Sequence, residues 1–537
     1  MKTRRQIDEN VRIESEILLT FLYKYLSDNL KDYLTELMKE KNITLSEAYS
    51  NKEHYDYMEK KSLLKFGYFF TMPDMFMDYL IKNNYESSYL DRILFDILKE
   101  GIKFNEGSNA NMYFDLLIRD YYRNVFNEPL HHEGNLILRD FILSISKLDI
   151  HEEEFKYSQV FGAVVNTRIV GARGTPEYIY DLLVPLILIS KPDISNAYNP
   201  FLDDGSSLVS LYNNCEIENV YGKDKNRINF LTSIVNMIIN GMNWDNIFFY
   251  NENALDDMEI DNIYFDAIIS KVPNRFRERH SAYYRNRAVH SNEREEMKNQ
   301  MLSNINMKSE DLSEKMEKHL NEFLLEVSYD DFEVSEFYGE YESLKDNNYL
   351  FIINMINSLR NDGIMAISIS QNFLFTNSQQ IMRKFLTFEN NYLDAVIGLP
   401  ESLGRGTRPE VILIFKKNKN DENILSIDSS RDYSTKMSDN RVPGTFRKFL
   451  LFDDESKNRL LDCYFRRETI DKYSNLVSIE EIHKNEFNLS ISRYVDTYEG
   501  EFIDLNDIRK DKRVIDKKMN SLNRQISKLI DDLDIKL

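Results

Sequence analysis

The first part of the chain has apolar residues at the spacing of a helix. Two interleaved series with a step of four form a broad apolar face: Ile17, Phe21, Tyr25 and Leu18, Leu22, Leu26. Such a face is typical of a helix that packs within a bundle. Glycine is scarce, and Pro73 and Pro129 mark breaks between helices. The pattern predicts a helical domain over residues 1–165, with its aromatic residues in the core.

From residue 166 to 420, helical patterns alternate with short apolar runs. The predicted strands are Ile247–Tyr250, Phe265–Ile269, Ile364–Ile369, Leu393–Ile397 and Val411–Phe415. This alternation predicts an α/β domain with helices on both faces of a sheet. Ligands of such sheets bind at the carboxyl ends of the strands. A highly charged segment over residues 275–344, with a predicted helix at Ser309–Val327, is interpreted as an insertion after one strand.

The C-terminal region, residues 421–537, begins with charged loops and ends in a predicted long helix. Its apolar residues follow steps of four and three: Ile515, Met519, Leu522, Ile526, Leu529 and Leu533. That spacing is typical of a coiled-coil seam. The seam either binds a partner helix or folds back onto its own domain. Its terminal place and charged flanks favour a partner.

Composition narrows the class of protein. The formal net charge is −21, whereas proteins that bind DNA unaided usually carry a basic surface. Any contact with DNA is therefore expected to be local or beside a more basic partner. The apolar runs are too short to cross a bilayer, and the charged N-terminus predicts no secretion signal. Cys215 and Cys463 have no metal-ligand spacing, so we expect a cytoplasmic protein without a metal site.

Several segments together resemble one known family. They are the opening helix ESEILLTFLYKYLSDNL, then LFIINMINSLRND, GIMAISIS, NYLDAVIGLP, VILIFKK, IDKYS and LSISRYVDT. In this order the chain resembles the modification (M) subunits of type I restriction–modification systems, the HsdM family of adenine-N6 DNA methyltransferases. The resemblance runs almost from end to end. It implies a helical N-terminal domain, a Rossmann-like methyltransferase domain that binds S-adenosylmethionine (SAM), and a C-terminal helix that packs against a specificity (S) subunit.

The cofactor motifs of that family are altered here. The family's Gly-Glu-Phe-Tyr-Thr-Pro aligns with residues 171–176, of which the glycine, Thr175 and Pro176 remain. The family's Asp-Pro-x-x-Gly-Ser-Gly aligns with Asn199-Pro200-Phe201-Leu202-Asp203-Asp204-Gly205, which keeps only Pro200 and Gly205. Asn199 cannot pair with the cofactor's ammonium group, and two added carboxylates oppose the cofactor's own. SAM affinity is therefore expected to be low or absent, unless the loop rearranges.

Two further positions match the family's cofactor contacts. Asp224, in Val220-Tyr221-Gly222-Lys223-Asp224, stands where the family has an acid for the ribose hydroxyls. It is equally a candidate N-cap for the apolar helix predicted at Ile228–Ile239. Asn253 replaces the acid that the family has beside the adenine ring, and its amide still offers a hydrogen bond to the adenine amino group.

The catalytic loop differs most. In the family, (Asn/Asp/Ser)-Pro-Pro-(Tyr/Phe) accepts hydrogen bonds from the target adenine's amino group and stacks on the flipped base. An ungapped alignment places Lys271, Val272, Pro273 and Asn274 there. Lysine only donates hydrogen bonds, and asparagine does not replace an aromatic stack. Shifting the alignment by one residue places Ser270 at the polar position of the motif, but it also places Lys271 and Val272 at the two proline positions. The loop at residues 401–409 also lacks the family's aromatic residue.

A basic cluster follows the altered loop. Besides Lys271 it contains Arg275, Arg277, Arg279, His280, Arg285 and Arg287, with Tyr283 and Tyr284 between them. This cluster either binds DNA phosphates or is a solvated loop paired with acids.

Three functional hypotheses follow. The first is a catalytically inactive M-like subunit with a structural, DNA-clamping or regulatory role in a type I-like restriction–modification or phage-defence complex. Its partners would be an S subunit, an active M paralogue and DNA. The second is an active adenine-N6 methyltransferase with divergent motifs. The third is a decoy or regulator that blocks a genuine M or S subunit.

Overall fold

The computed structural model describes most of the predicted α/β domain and its flanking helices. The described residues are 2–84, 90–105, 108–125, 139–140, 142–147, 177–252, 254, 263–273, 349–400, 410–419, 421–439, 446–497 and 505–532. The chain divides into two compact units, Met1–Val495 and Asp496–Leu537. The predicted insertion at residues 275–344, with its helix, lies outside the described residues.

The first unit begins with the helical domain that the apolar pattern predicted. Its elements are α1 (Lys2–Lys39), α2 (Leu45–Ser50), α3 (Lys52–Phe66), β1 (Tyr68–Phe70), α4 (Met77–Asn84), α5 (Leu90–Glu100), β2 (Ile102–Phe104) and α6 (Asn109–Val125). Local signals set the ends of the helices: Thr44 forms a capping box with Glu47, Asn51 caps α3, and Gly67 ends α3 with a φ of 78°. The α1 residues Leu22, Leu26, Leu30 and Leu34 are fully buried, so this face organises the helical core.

A nine-stranded sheet forms the rest of the first unit. Its elements are α7 (Glu177–Ser190), β3 (Asn196–Asn199), α8 (Ser206–Asn214), β4 (Asn219–Lys223), α9 (Arg227–Ile239), β5 (Ile247–Tyr250), β6 (Phe265–Lys271), α10 (Tyr349–Asn357), β7 (Leu359–Ser370), α11 (Gln380–Lys384), β8 (Leu393–Gly398), β9 (Glu410–Lys416), β10 (Ile424–Asp428), β11 (Ser434–Asp439), β12 (Phe446–Leu451), α12 (Asp454–Arg466), β13 (Ser474–Val477) and α13 (Ile479–Lys484). The strand order is β13-β10-β8-β9-β7-β6-β3-β4-β5, and β11 and β12 form a separate pair.

The strand directions confirm the α/β fold class. Strands β5, β4, β3, β6 and β7 run parallel, and β9 is antiparallel to its neighbours β7 and β8. Apolar side chains cover both faces of the sheet in two buried clusters. Because β9 runs backwards, its first residue, Glu410, lies beside Ser370 at the carboxyl end of β7. The carboxyl ends of five parallel strands and the start of β9 therefore share one edge.

The sheet extends past the domain boundary that the sequence placed at residue 420. Strand β10 pairs with β8 in parallel, and β13 pairs with β10 in antiparallel. These two strands lie in the region assigned to the C-terminal part, but their hydrogen bonds complete the central ladder. The predicted boundary therefore falls within the sheet, because strand pairing depends on register and not on the change in composition.

The helical domain covers the edge strand β5. Tyr113 of α6 donates its hydroxyl proton to Ile247 O at 2.8 Å and accepts a hydrogen bond from Phe249 N at 2.9 Å. Both groups face away from β4, where an edge strand otherwise offers unpaired backbone. One buried phenol thus satisfies two edge groups and joins α6 to the sheet.

Replacing Tyr113 with phenylalanine is expected to lower the free energy of unfolding by about 1–2 kcal/mol, because two buried backbone groups lose their partner. Urea titration of the full chain measures this. Tyr212→Phe is the matched control, since the Tyr212 hydroxyl makes one longer contact, 3.3 Å to Gly241 O, on an exposed surface. Equal effects of the two substitutions would contradict the expected role of Tyr113.

The second unit contains α14 (Leu505–Asp532), the predicted C-terminal helix. Ile515, Met519 and Leu522 of the predicted seam are 60%, 55% and 55% exposed. Leu533, the last residue of the seam, lies outside the described residues. Within the part of the chain that the structure describes, no helix has the length and apolar character that crossing a membrane requires.

Candidate cofactor and catalytic site

The turn between β3 and α8 keeps the backbone path of a glycine turn although it has lost a glycine. Asp203 has a φ of 49°, in the left-handed region that non-glycine residues adopt infrequently, and Gly205 has a φ of 78°. A Cβ on Gly205 would lie 2.8 Å from Ser233 Cβ, so α9 leaves no room for a side chain there. Leu202 N donates to Lys223 O at 3.0 Å and ties the turn to β4.

Asn199, the residue at the family's opening acid, is buried and committed to internal contacts. Its Nδ2 donates to Ser207 Oγ at 2.9 Å, and its Oδ1 accepts from Phe201 N and Ser270 Oγ, each at 2.9 Å. Only 1% of the residue is exposed. The amide therefore joins the turn to the end of β6 and does not face a ligand.

Asp224 makes the contacts of a loop-stabilising carboxylate. It accepts hydrogen bonds from Asn226 N at 2.7 Å, Asp203 N at 3.0 Å and Asn229 Nδ2 at 3.2 Å. Burial raises the pKa of Asp224, and these three donors partly offset that effect. A carboxylate has about four acceptor positions, so at most one remains for a ligand. The geometry favours a role at the start of α9 over the ribose contact.

Lys223 was not singled out from the sequence, yet its charged side chain lies buried at this edge, at the end of β4. Its side chain is fully buried at the end of β4, and its Nζ lies 3.4 Å from Glu252 Oε2 after β5. Leu202 packs directly against Gly222, where any Cβ would collide with its side chain. A buried lysine, its partly exposed acid partner Glu252 and a leucine thus occupy the ends of β4 and β5.

The end of β6 continues as a strand where the family has its catalytic loop. Lys271 pairs with Ser368 of β7, and Val272 N donates to Ser368 O at 2.8 Å. Val272 is buried, and Pro273 is half-buried. Lys271 and Val272, the first two residues of the loop, therefore remain paired with β7.

Lys271 is paired with an acid that sequence reasoning missed. Its Nζ lies 3.2 Å from Glu410 Oε1, an ion pair without an aligned hydrogen bond, and Glu410 Oε2 accepts from Ser368 Oγ at 3.1 Å. Glu410 is 5% exposed in its side chain. Its only sequence signal is an acid at the start of an otherwise apolar strand. It reaches Lys271 across β7, and its place there follows from the registers of β6, β7 and β9.

The remaining predicted site residues lie outside the described residues. They are Thr175, Pro176, Asn253, Asn274, Arg275, Arg277, Arg279, Arg285 and Arg287. Pro200, by contrast, lies in the turn between Asn199 and Phe201. Among the described residues, no group of three or more His, Cys, Asp or Glu side chains is arranged to hold a metal ion.

SAM contains a ribose diol, which needs two acceptors, and a sulfonium cation. Asp224 has at most one acceptor position left, and Lys223 adds a buried positive charge beside it. Leu202 fills the space above Gly222. The described side chains therefore do not fit SAM in the way that the family's motif holds it.

Comparisons with known proteins agree on the family. A model of the N-6 DNA Methylase family matches residues 326–501. The methylase subunit of the type I restriction enzyme MpnII from Mycoplasma pneumoniae is 21% identical over 97% of this chain and 92% of its own length. The methylase subunit of the MjaVII enzyme from Methanocaldococcus jannaschii is 33% identical over 24% of this chain and 22% of its own length.

A solved structure shares the fold. The methyltransferase subunit of a type I restriction–modification system from Streptococcus thermophilus superposes with a TM-score of 0.66 at 20% identity, over 91% of this chain and 96% of that one. The similarity in sequence along nearly the whole chain, the family match and the common fold lead to one conclusion. In sequence and in fold, the chain is similar to the methyltransferase (M) subunits of type I restriction–modification systems.

Proposed function

We propose that this chain is a catalytically inactive M subunit with a structural, DNA-clamping or regulatory role in a type I-like restriction–modification or phage-defence complex. The observation that carries the proposal is the Lys271–Glu410 ion pair at the end of β6. An ammonium paired with a carboxylate stands at the position where the family accepts hydrogen bonds from the adenine amino group. The adjoining residues Lys271 and Val272 remain paired with β7, which supports a loss of the hydrogen-bond acceptors for the adenine amino group among the described residues of this loop.

The proposed partners are an S subunit, an active M paralogue and DNA. The exposed apolar residues Ile515, Met519 and Leu522 of α14 support a partner helix, because a seam of this size is rarely left in water. The altered cofactor turn and the altered catalytic strand together support inactivity, because a subunit that transfers no methyl group needs neither the cofactor motif nor the catalytic motif.

One observation favours an active enzyme with divergent motifs as a second candidate. Asp203 holds the left-handed backbone that a glycine turn requires, so the turn has kept its path despite the added side chain. If the neighbouring side chains rearranged on binding, the main chain would already be in place for SAM.

Titration calorimetry separates these candidates, with SAM and S-adenosylhomocysteine as ligands for the purified full chain and an active adenine methyltransferase as the positive control. We expect no binding heat from either ligand. Adenine methylation of unmodified DNA, measured in cells that also express the S subunit, is expected to be absent. Micromolar binding of SAM together with methylated DNA would overturn the inactive-subunit proposal and establish the active one.

A further inference from the structure

A cavity of about 370 Å³ lies at the edge of the sheet opposite the candidate cofactor site. The ends of α7, β9 and α12 and the first half of β7 form its walls. Its lining includes Ser190, Asp362, Lys416, Tyr464, Phe465 and Arg467. A concave site of this size with a few convergent polar groups is suited to a small ligand.

Two cations in the lining share an acid that lies behind them. Lys416 Nζ lies 2.8 Å from Asp394 Oδ2, and Arg467 lies 2.7 Å from Asp394 Oδ1. Asp394 is 2% exposed, so this acid does not reach the cavity. An ammonium has three protons, and the described chain provides Lys416 with one acceptor. Lys416, which is 26% exposed in its side chain, therefore has donors left for an anion in the cavity.

The other charges around the cavity leave this site positive. Asp362 also lines the cavity, but its carboxylate is paired with Lys191 at 2.5 Å. Lys419 adds a cation whose three hydrogen bonds go to neutral oxygens. Burial lowers the pKa of Lys419 to about 8, which leaves it mostly charged at pH 7. The charged groups of this network are five cations and four acids: Lys191, Arg360, Lys416, Lys419 and Arg467 against Asp266, Asp362, Asp394 and Asp421. One positive charge therefore remains for a ligand.

Two hydroxyl groups decide what the ligand must donate. Tyr464 Oη donates to Asp394 Oδ2 at 2.9 Å. Although burial opposes them, Lys416 and Arg467 hold the pKa of Asp394 below its usual value, so this carboxylate only accepts. A phenol has one proton, so Ser190 Oγ is the donor in its 2.9 Å contact with Tyr464 Oη. The half-buried Ser190 oxygen is therefore an acceptor for a ligand hydroxyl or N–H group.

Phe465 supplies an aromatic surface at the same cavity. The residue lies in the last turn of α12 and is 69% exposed, whereas its neighbour Tyr464 is buried. A ring that is both part of the lining and open to solvent is available to a planar ligand. Contacts between aromatic rings add to the energy of apolar burial.

We propose that this cavity binds a small aromatic carboxylate that also carries a hydroxyl or N–H donor. The carboxylate pairs with Lys416, the ring packs on Phe465, and the donor bonds to Ser190 Oγ. A single remaining positive charge matches a carboxylate better than a phosphate monoester, which carries close to two negative charges. The site lies away from the cofactor edge, so the proposal goes beyond the inactive-subunit role and does not depend on it.

Ligand-detected NMR titration of the full chain with 4-hydroxyphenylacetate tests the proposal. We expect a Kd of about 1 mM or below, as a ligand of this size allows. Two further probes each lack one feature: 4-methoxyphenylacetate has no donor, and p-cresol has no carboxylate. We expect binding to weaken at least about threefold for the ether and at least about tenfold for p-cresol.

Two variants test the residues. Phe465→Ser removes the ring from an exposed position and is expected to weaken binding at least about threefold. Lys416→Gln removes the ammonium and is expected to weaken it at least about tenfold. Phe388→Ser is the control, because Phe388 is 50% exposed and contacts His483 and Phe487 outside the cavity lining. It should leave the affinity unchanged.

Circular dichroism checks that every variant folds, and Phe465→Ser keeps the test decisive where loss of the Asp394 contact prevents Lys416→Gln from folding. The proposal is overturned by no binding of 4-hydroxyphenylacetate at about 10 mM, or by unchanged binding in Phe465→Ser. Equal binding of p-cresol would also overturn it. Tighter binding of adenosine monophosphate or inorganic phosphate would overturn it as well and assign the cavity to a phosphate ligand. SAM calorimetry measures the inactive-subunit proposal separately, so either proposal can fail alone.

Discussion

Replacing Asp394 with asparagine is expected to lower the free energy of unfolding by about 2–4 kcal/mol. Asp394 is 2% exposed in β8 and accepts from Tyr464 Oη at 2.9 Å. It also pairs with Arg467 at 2.7 Å and Lys416 at 2.8 Å, which are 24% and 26% exposed in their side chains. Removing the buried charge leaves two cations without their acid, but their partial exposure reduces the loss below that of a fully buried pair.

The effect should depend on pH. Burial alone would raise the pKa of Asp394, but Lys416 and Arg467 outweigh it and hold the pKa below its usual value. A depressed carboxyl pKa contributes stability above the unfolded value of about 3.9. That contribution is lost as pH falls through the lower pKa of the folded state. The part of the difference between wild type and Asp394→Asn that comes from the Asp394 carboxylate is therefore expected to shrink below about pH 4.

Urea titrations at several pH values measure both effects. Asp362→Asn is the control, because Asp362 is 67% exposed in its side chain and its 2.5 Å pair with Lys191 is a surface contact. We expect it to cost less than about 1 kcal/mol. A loss of similar size in both variants, or a pH-independent difference for Asp394→Asn, would show that the buried network does not hold α12 to the sheet.

The second large effect is expected at the altered catalytic strand. Lys271→Ala should destabilise the chain by about 2–3 kcal/mol, because Glu410 would remain buried with only the Ser368 hydroxyl. Glu410→Ala should cost less, since the Lys271 side chain is 18% exposed and reaches solvent more easily. The double variant should be close to Glu410→Ala. The resulting coupling energy is expected to be about 2–3 kcal/mol, close to the whole effect of Lys271→Ala.

The Lys384–Glu389 pair supplies a control double-mutant cycle for the Lys271–Glu410 pair. Its atoms are 3.3 Å apart, but its side chains are 40% and 19% exposed. We expect a coupling energy below about 1 kcal/mol there. If both cycles gave the same coupling energy, Lys271 would be an ordinary surface lysine. The proposal that the Lys271–Glu410 ion pair occupies the catalytic position would then lose its energetic basis.

Much of the fold was predictable because its signals are local. The predicted strands Phe265–Ile269 and Leu393–Ile397 lie within β6 and β8, since continuous apolar runs of this length suit a sheet that is buried on both faces. The C-terminal helix was visible from its heptad spacing. The altered motif at residues 271–274 was also readable by comparison with the family's order of segments.

The membership of β10 and β13 in the sheet was not predictable from composition. Both follow charged loops, and their place depends on pairing with β8 and with each other. The functional alternatives for Asp224 were likewise open in the sequence. Hydrogen bonds from the β3–α8 turn and from the start of α9 favour a structural role at the start of α9 over a contact to the ribose hydroxyls.

The sequence by itself determined the five strands β5 to β9, the C-terminal helix, the family resemblance, and the loss of acceptor and aromatic residues after β6. Only the tertiary structure decided what replaced them. Lys271, Ser368 and Glu410 come from three strands, and the register of β6, β7 and β9 brings them together. Lys223 meets Glu252 in the same way, across the ends of two strands. An ion pair between distant segments leaves no local pattern, because its geometry exists only after the sheet has formed.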